Sequence, residues 1–128
     1  MKLLGIDYGT AKVGLAMGDS ESGLATPLEI MKNDGDKQLC QEISELVKKE
    51  SIEKIVVGLP FNPEGRSDEQ IKKTEAFIER LKEMVDIELA YEDERFTTRQ
   101  AQGLNNSGDE DDLAAMLILQ VYLDKQKN

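Results

Sequence analysis

Carboxylates are the side chains in this sequence whose types and spacing best suit catalysis. Asp7 closes an apolar run at residues 3–8, with no basic residue within four positions on either side. Glu94 stands in Tyr91-Glu92-Asp93-Glu94-Arg95, directly after a second apolar run. Asp111 and Asp112 stand where an apolar helical pattern begins. A carboxylate in an apolar strand is costly to bury unless it is paired or bound to a cation. Three carboxylates without a histidine suit one or two Mg²⁺ or Mn²⁺ ions, which prefer oxygen ligands. Such ions activate water and stabilise a leaving oxygen in phosphodiester cleavage.

Each acid also has a purely structural reading. Asp7 can be a turn-former before Gly9. Glu92 and Glu94 can be solvated loop acids, with Arg95 as the ion partner of Glu94. Asp111 can cap the last helix, where the helix dipole favours carboxylates, but Asp109 or Ser107 caps equally well. Lys12, Arg66, Arg95 and Arg99 lie near these segments and can contact phosphates, or serve as ordinary surface charges. Gly5, Gly9 and Gly14 read as a tight first hairpin whose backbone a phosphate can approach. Gly58, Pro60 and Gly65 shape a later loop. Neither is a Walker loop, because no GxxxxGK[ST] occurs.

The elements that must position these residues follow from the hydrophobic period. Strands are predicted at 3–8, 13–18, 24–31, 55–59 and 87–91. Pro27 marks the third as an edge strand. Helical spacing appears at 36–50 through Leu39, Ile43, Leu46 and Val47. A second helix starts after Ser67, where Gln70 completes a capping box. Ile71, Thr74, Ile78, Leu81 and Val85 form its buried stripe. A short helix is predicted over 99–104, capped by Thr97. The last helix, 111–125, is predicted to turn Leu113, Met116, Leu117 and Val121 inward. The order is βββαβαβαα. It predicts an α/β fold: an antiparallel meander joined to a parallel pair in one mixed five-stranded sheet, with helices on both faces. Sites in such sheets form beyond the carboxyl ends of the parallel strands.

Composition excludes other chemistries. The 128 residues contain no histidine and one cysteine, Cys40, so no internal disulfide, His-ligated metal or Ser-His-Asp triad is available. Cys40 reads as core packing. Length and composition (39% hydrophobic, 33% charged) predict a single globular domain over 1–128. No apolar run reaches the ~18 residues of a membrane span, and the N-terminus lacks a signal-peptide core, so a cytoplasmic protein is expected. The net charge is −10, and residues 86–128 carry ten acids against four bases. That balance disfavours an extended basic face and favours a site that gathers divalent cations.

Several motifs carry a family resemblance. Leu4-Gly5-Ile6-Asp7-Tyr8-Gly9-Thr10 with Lys12-Val13-Gly14-Leu15-Ala16 is the first. Val56-Val57-Gly58-Leu59-Pro60, with Gly65 and Phe77, is the second. Asp93-Glu94-Arg95-Phe96-Thr97-Thr98 and the run from Asp111 through Leu123 complete it. In order and spacing, nearly the whole chain resembles the YqgF/RuvX family of RNase H-like proteins. The resemblance implies an RNase H-like fold and a metal-dependent nuclease that trims the 5′ end of pre-16S rRNA. The family was earlier described as a Holliday junction resolvase, from its similarity to RuvC-type enzymes. The family's acidic positions fall on Asp7, Glu94 and Asp111, with Asp112 as the fallback for the last, and Glu92 or Asp93 as alternatives to Glu94. The chain departs from the family between the Thr-Thr segment and Asp111. Members carry a longer Lys/Arg-rich stretch there, and residues 102–110 here are short and acidic. Phosphate contact then falls to Lys12, Arg95 and Arg66, to a second protomer, or to a partner.

The leading expectation is a nuclease on structured RNA of a ribosomal precursor, with Asp7, Glu94 and Asp111 holding Mg²⁺ or Mn²⁺. The expected state is a monomer or weak homodimer, away from membranes. Branched DNA is the alternative substrate and would favour a two-fold dimer. A nucleotide-binding module is a third reading, because Gly5-Ile6-Asp7-Tyr8-Gly9-Thr10 also resembles the phosphate loop of actin/Hsp70-like ATPases, though those need two such domains. A non-catalytic ribosome-assembly protein is a fourth.

Overall fold

The computed structural model describes residues 1–59, 69–93 and 110–126, with side chains from 113 onward in the last segment. In chain order the elements are β1 (Lys2–Asp7), β2 (Lys12–Asp19), β3 (Leu24–Lys32), α1 (Asp36–Glu50), β4 (Lys54–Leu59), α2 (Glu69–Met84), β5 (Glu88–Asp93) and α3 (Glu110–Gln126). The predicted helix over 99–104, the Ser67 cap and residues Arg66, Glu94, Arg95 and Arg99 lie outside the described residues.

One five-stranded sheet runs in the order β3-β2-β1-β4-β5. β1 pairs antiparallel with β2 and parallel with β4, and β4 pairs parallel with β5. The parallel portion is therefore three strands rather than the expected pair. The connection through α1 passes over β2 and β1 instead of joining neighbours. β1 and β4 are central and covered on both faces, which is why they read as continuous apolar runs. β3 is an edge strand, as Pro27 predicts, with a register shift opposite Leu15 and Ala16.

Alternation along β1 splits the core in two. Leu4, Ile6 and Tyr8 face α1 and α2, packing with Leu39, Ile43, Phe77 and Leu81. Leu3 faces α3, with Ala16, Val56, Ala115, Ile118 and Leu119. Phe77 stacks on Tyr8 at 4.6 Å between ring centroids and anchors the first layer. Ile71 is only half-buried.

The α3 face corrects the predicted stripe. Leu117 is buried, but Leu113, Met116 and Val121 are half-buried, and Ala115, Ile118, Leu119 and Leu123 form the inner face. This helix is apolar on nearly every side, so its period does not choose a face. The sheet chooses it. A Cβ on Gly5 would lie 2.9 Å from Leu119 Cβ and 3.0 Å from the Ala115 carbonyl oxygen. One on Gly18 would meet Leu119 and Leu123. Gly5 thus serves helix packing, not the phosphate approach expected from the sequence. Gln120 secures the helix, accepting from the Ala25 N–H at 2.9 Å and donating to the Gly23 carbonyl at 2.8 Å. Among the described residues no helix is long and apolar enough to cross a membrane.

Candidate active site at the carboxyl edge of the parallel strands

Asp7 is the last residue of β1 and is half-buried. Strand alternation gives it the face of Leu3 and Gly5, the face that α3 covers. Ile6 pairs with Val57, so Gly58 is the next position beside Asp7, and Gly58 pairs with Glu92. Asp7, Gly58 and Glu92 therefore form one row across three parallel strands, all on the α3 face. At ordinary strand spacing the two acids stand about 10 Å apart at Cα. Gly58 leaves the space between them without a side chain.

α3 runs antiparallel to β1 at this face. Leu123 lies against Gly18, which pairs with Leu3, and Ala115 lies against Gly5. Position 111 is one turn before Ala115 on the same stripe, about 6 Å along the helix, while Gly5 to Asp7 is about 6.6 Å along the strand. The start of α3 thus reaches the level of Asp7. By helical phase position 111 shares the Ala115 stripe, and position 112 is turned about 100° away.

Lys12 is exposed, opens β2 and shares the Asp7 face through the pairing of Asp7 with Gly14. Asp93 has the opposite phase from Glu92 and lies on the α1/α2 face. Glu92 itself corrects two expectations. It belongs to β5, which extends beyond Tyr91, and it is buried at 6% exposure rather than solvated in a loop. Its carboxylate pairs with the ammonium of Lys125 at 2.5 Å. Among the described residues no three acidic side chains gather closely enough to hold a metal ion. Glu94, Arg95 and Arg66 lie outside the described residues, as does the side chain of Asp111.

The turn after Asp7 carries partners that the sequence did not reveal. The Tyr8 hydroxyl donates to Asp36 Oδ1 at 2.8 Å. Burial, and then that bonded carboxylate, push the Tyr8 phenol above its ordinary value. Asn33 Nδ2 donates to the Gly9 carbonyl at 2.8 Å, and Gln70 Nε2 to the Tyr8 carbonyl at 3.4 Å. Asn33-Asp34-Gly35 reads locally only as a turn, so no sequence signal points to this role.

The RuvX family model, described as Holliday junction resolvase, matches residues 1–125. The chain belongs to the RuvX family. It is 39% identical over 138 residues to a protein of Caldanaerobacter subterraneus subsp. tengcongensis named "Putative pre-16S rRNA nuclease", covering 100% of this chain and 99% of that one. A Sulfurihydrogenibium protein of the same name is 38% identical over 133 residues, covering 97% and 90%. Among solved structures, Thermus thermophilus RuvC in complex with a Holliday junction substrate superposes with a TM-score of 0.67 at 16% identity, covering 100% of this chain and 96% of that one. Fowlpox virus resolvase with Holliday junction DNA gives 0.62 at 14%, covering both chains fully. These likenesses show the shared RNase H-like fold. RuvX membership and the names of the relatives mark the chain as a nuclease.

Proposed function

We propose that this RuvX chain is a metal-dependent phosphodiesterase acting on structured RNA, in the 5′-end maturation of pre-16S rRNA in the cytoplasm. The observation that carries the reading is the placement of Asp7. It ends the central strand on the face that the start of α3 reaches, beside the bare position Gly58. The donor chemistry fits a hard cation, because the candidate ligands are carboxylates and the chain has no histidine. Asp7, Glu94 and Asp111 would hold Mg²⁺ or Mn²⁺, which when bound lowers the pKa of water and neutralises charge on the leaving oxygen. Lys12, on the Asp7 face, binds a backbone phosphate, and Arg66 and Arg95 supply further phosphate contacts. The names of the relatives support RNA as the substrate. The family description and the fold shared with RuvC support a second reading, branched DNA cut by a weak homodimer.

The test is cleavage of a labelled RNA carrying the 16S 5′ flank, with Mg²⁺ or Mn²⁺, by wild type and by Asp7→Asn. Metal-dependent cutting by wild type alone is the expected result. Failure on this RNA with cutting of a four-way junction transfers the activity to branched DNA. Failure on both, by folded protein, overturns the nuclease reading.

A further inference from the structure

The turn that follows Asp7 is held from three other parts of the chain. Gly9 closes it so tightly that a Cβ there would overlap the Lys12 carbonyl oxygen. Gln70, in the first turn of α2, donates to the Tyr8 carbonyl, the Tyr8 ring stacks on Phe77, and the Tyr8 hydroxyl donates to Asp36. The densest connection is Asn33, in the segment between β3 and α1. Its backbone N–H donates to the Ala11 carbonyl at 2.9 Å. Its side-chain Nδ2 donates to the Gly9 carbonyl at 2.8 Å. Its Oδ1 accepts from the Gly35 N–H at 3.0 Å. The Gly9 carbonyl needs a donor and the Gly35 N–H an acceptor, so only one orientation of the amide satisfies both.

We infer that Asn33 is a positioning residue for Asp7: its amide fixes the Tyr8-Gly9 turn and thereby the carboxylate at the end of β1. The inference rests on the proposed role of Asp7 in holding a divalent cation. A metal-site carboxylate gains affinity when its surroundings hold it in place before the ion arrives, and loss of such support costs about 10–100-fold in affinity or activity. Asparagine is specific here because the site needs a donor and an acceptor on one short side chain. Asn33→Asp is nearly the same shape and keeps the acceptor for Gly35. It loses the donor to Gly9 and sets a carboxylate against a carbonyl oxygen.

The experiment is Mn²⁺ titration of the full chain, with cleavage kinetics beside it, for wild type, Asp7→Asn, Asn33→Asp and Ser44→Ala. Ser44 donates to the Met84 carbonyl at 3.2 Å, far from Asp7 in the fold, and controls for the loss of an ordinary part-buried hydrogen bond. Asn33→Asp is expected to bind Mn²⁺ about 10-fold more weakly and to lose a similar factor in kcat with KM for RNA unchanged. Ser44→Ala is expected to keep wild-type Mn²⁺ affinity. Equal weakening in both variants, or wild-type affinity in Asn33→Asp, overturns the inference. Wild-type affinity in Asp7→Asn overturns it together with the proposed metal site. If Asn33→Asp does not fold, the wild-type protein answers instead. Mg²⁺ must then shift the side-chain amide NMR signals of Asn33 and the backbone signal of Gly9, and unmoved signals overturn the inference.

Discussion

The carboxylate of Glu92 on β5 is buried against the ammonium of Lys125 in the last turn of α3, 2.5 Å away. The pair ties the C-terminal end of α3 to the strand that leads into Glu94. Glu92 is almost wholly out of solvent, whereas the Lys125 side chain is 59% exposed. Removing the lysine leaves a buried carboxylate without its charge partner, a loss that is large for fully buried pairs and smaller where water reaches one side. Lys125→Met is therefore expected to destabilise by about 1–2 kcal/mol, and Lys125→Arg to restore most of that. Urea unfolding followed by circular dichroism checks both. A Lys125→Met protein as stable as wild type would show that solvent already satisfies Glu92.

Gly5 sets how closely α3 approaches β1. An added methyl at 3.0 Å from the Ala115 carbonyl oxygen meets backbone, which a side-chain rotation cannot relieve. Gly5→Ala is expected to cost about 1–3 kcal/mol by overpacking. Moving α3 also moves the backbone at position 111, so the same variant should weaken Mn²⁺ binding. Thermal unfolding and metal titration read the two effects separately. An unchanged Tm would mean that the helix shifts at no cost.

Cys40 is fully buried, and its thiol lies 3.9 Å from the Phe77 carbonyl oxygen. Burial, with the Asp36 carboxylate adding to it, pushes this thiol up to about 11. The fold thus favours the protonated form. Its contribution is complete below the ordinary thiol value, near pH 9, and is lost as pH rises through about 11. The raised Tyr8 phenol acts in the same direction as pH rises above its ordinary value of 10. The urea midpoint of wild type should fall between pH 9 and 11, and Cys40→Ala should flatten that fall. Native protein at pH 8 should also leave a thiol reagent unreacted until it is unfolded.

Much of the fold follows from local pattern alone. The apolar runs at 3–8 and 55–59 read as strands and are covered strands in the fold, and Pro27 points to the edge position that β3 takes. The order of strands and helices follows from where a period of two gives way to 3.6. Asp7 stands out in the sequence because a carboxylate ending an apolar run is costly to bury without a partner or a cation, and its place at the end of β1 follows from that run. The tertiary structure decided what local pattern cannot encode. α3 is apolar on nearly every side, so the glycines of β1 and β2, distant in sequence, select the face it presents. Glu92 sits among three consecutive acids that suggest solvent, and only the pairing of β5 with β4 and the reach of Lys125 bury it. Asn33 reads as a turn residue until the fold brings Gly9 against its amide. In each case the deciding contact joins residues far apart in the chain, and its free energy appears only once the sheet has assembled.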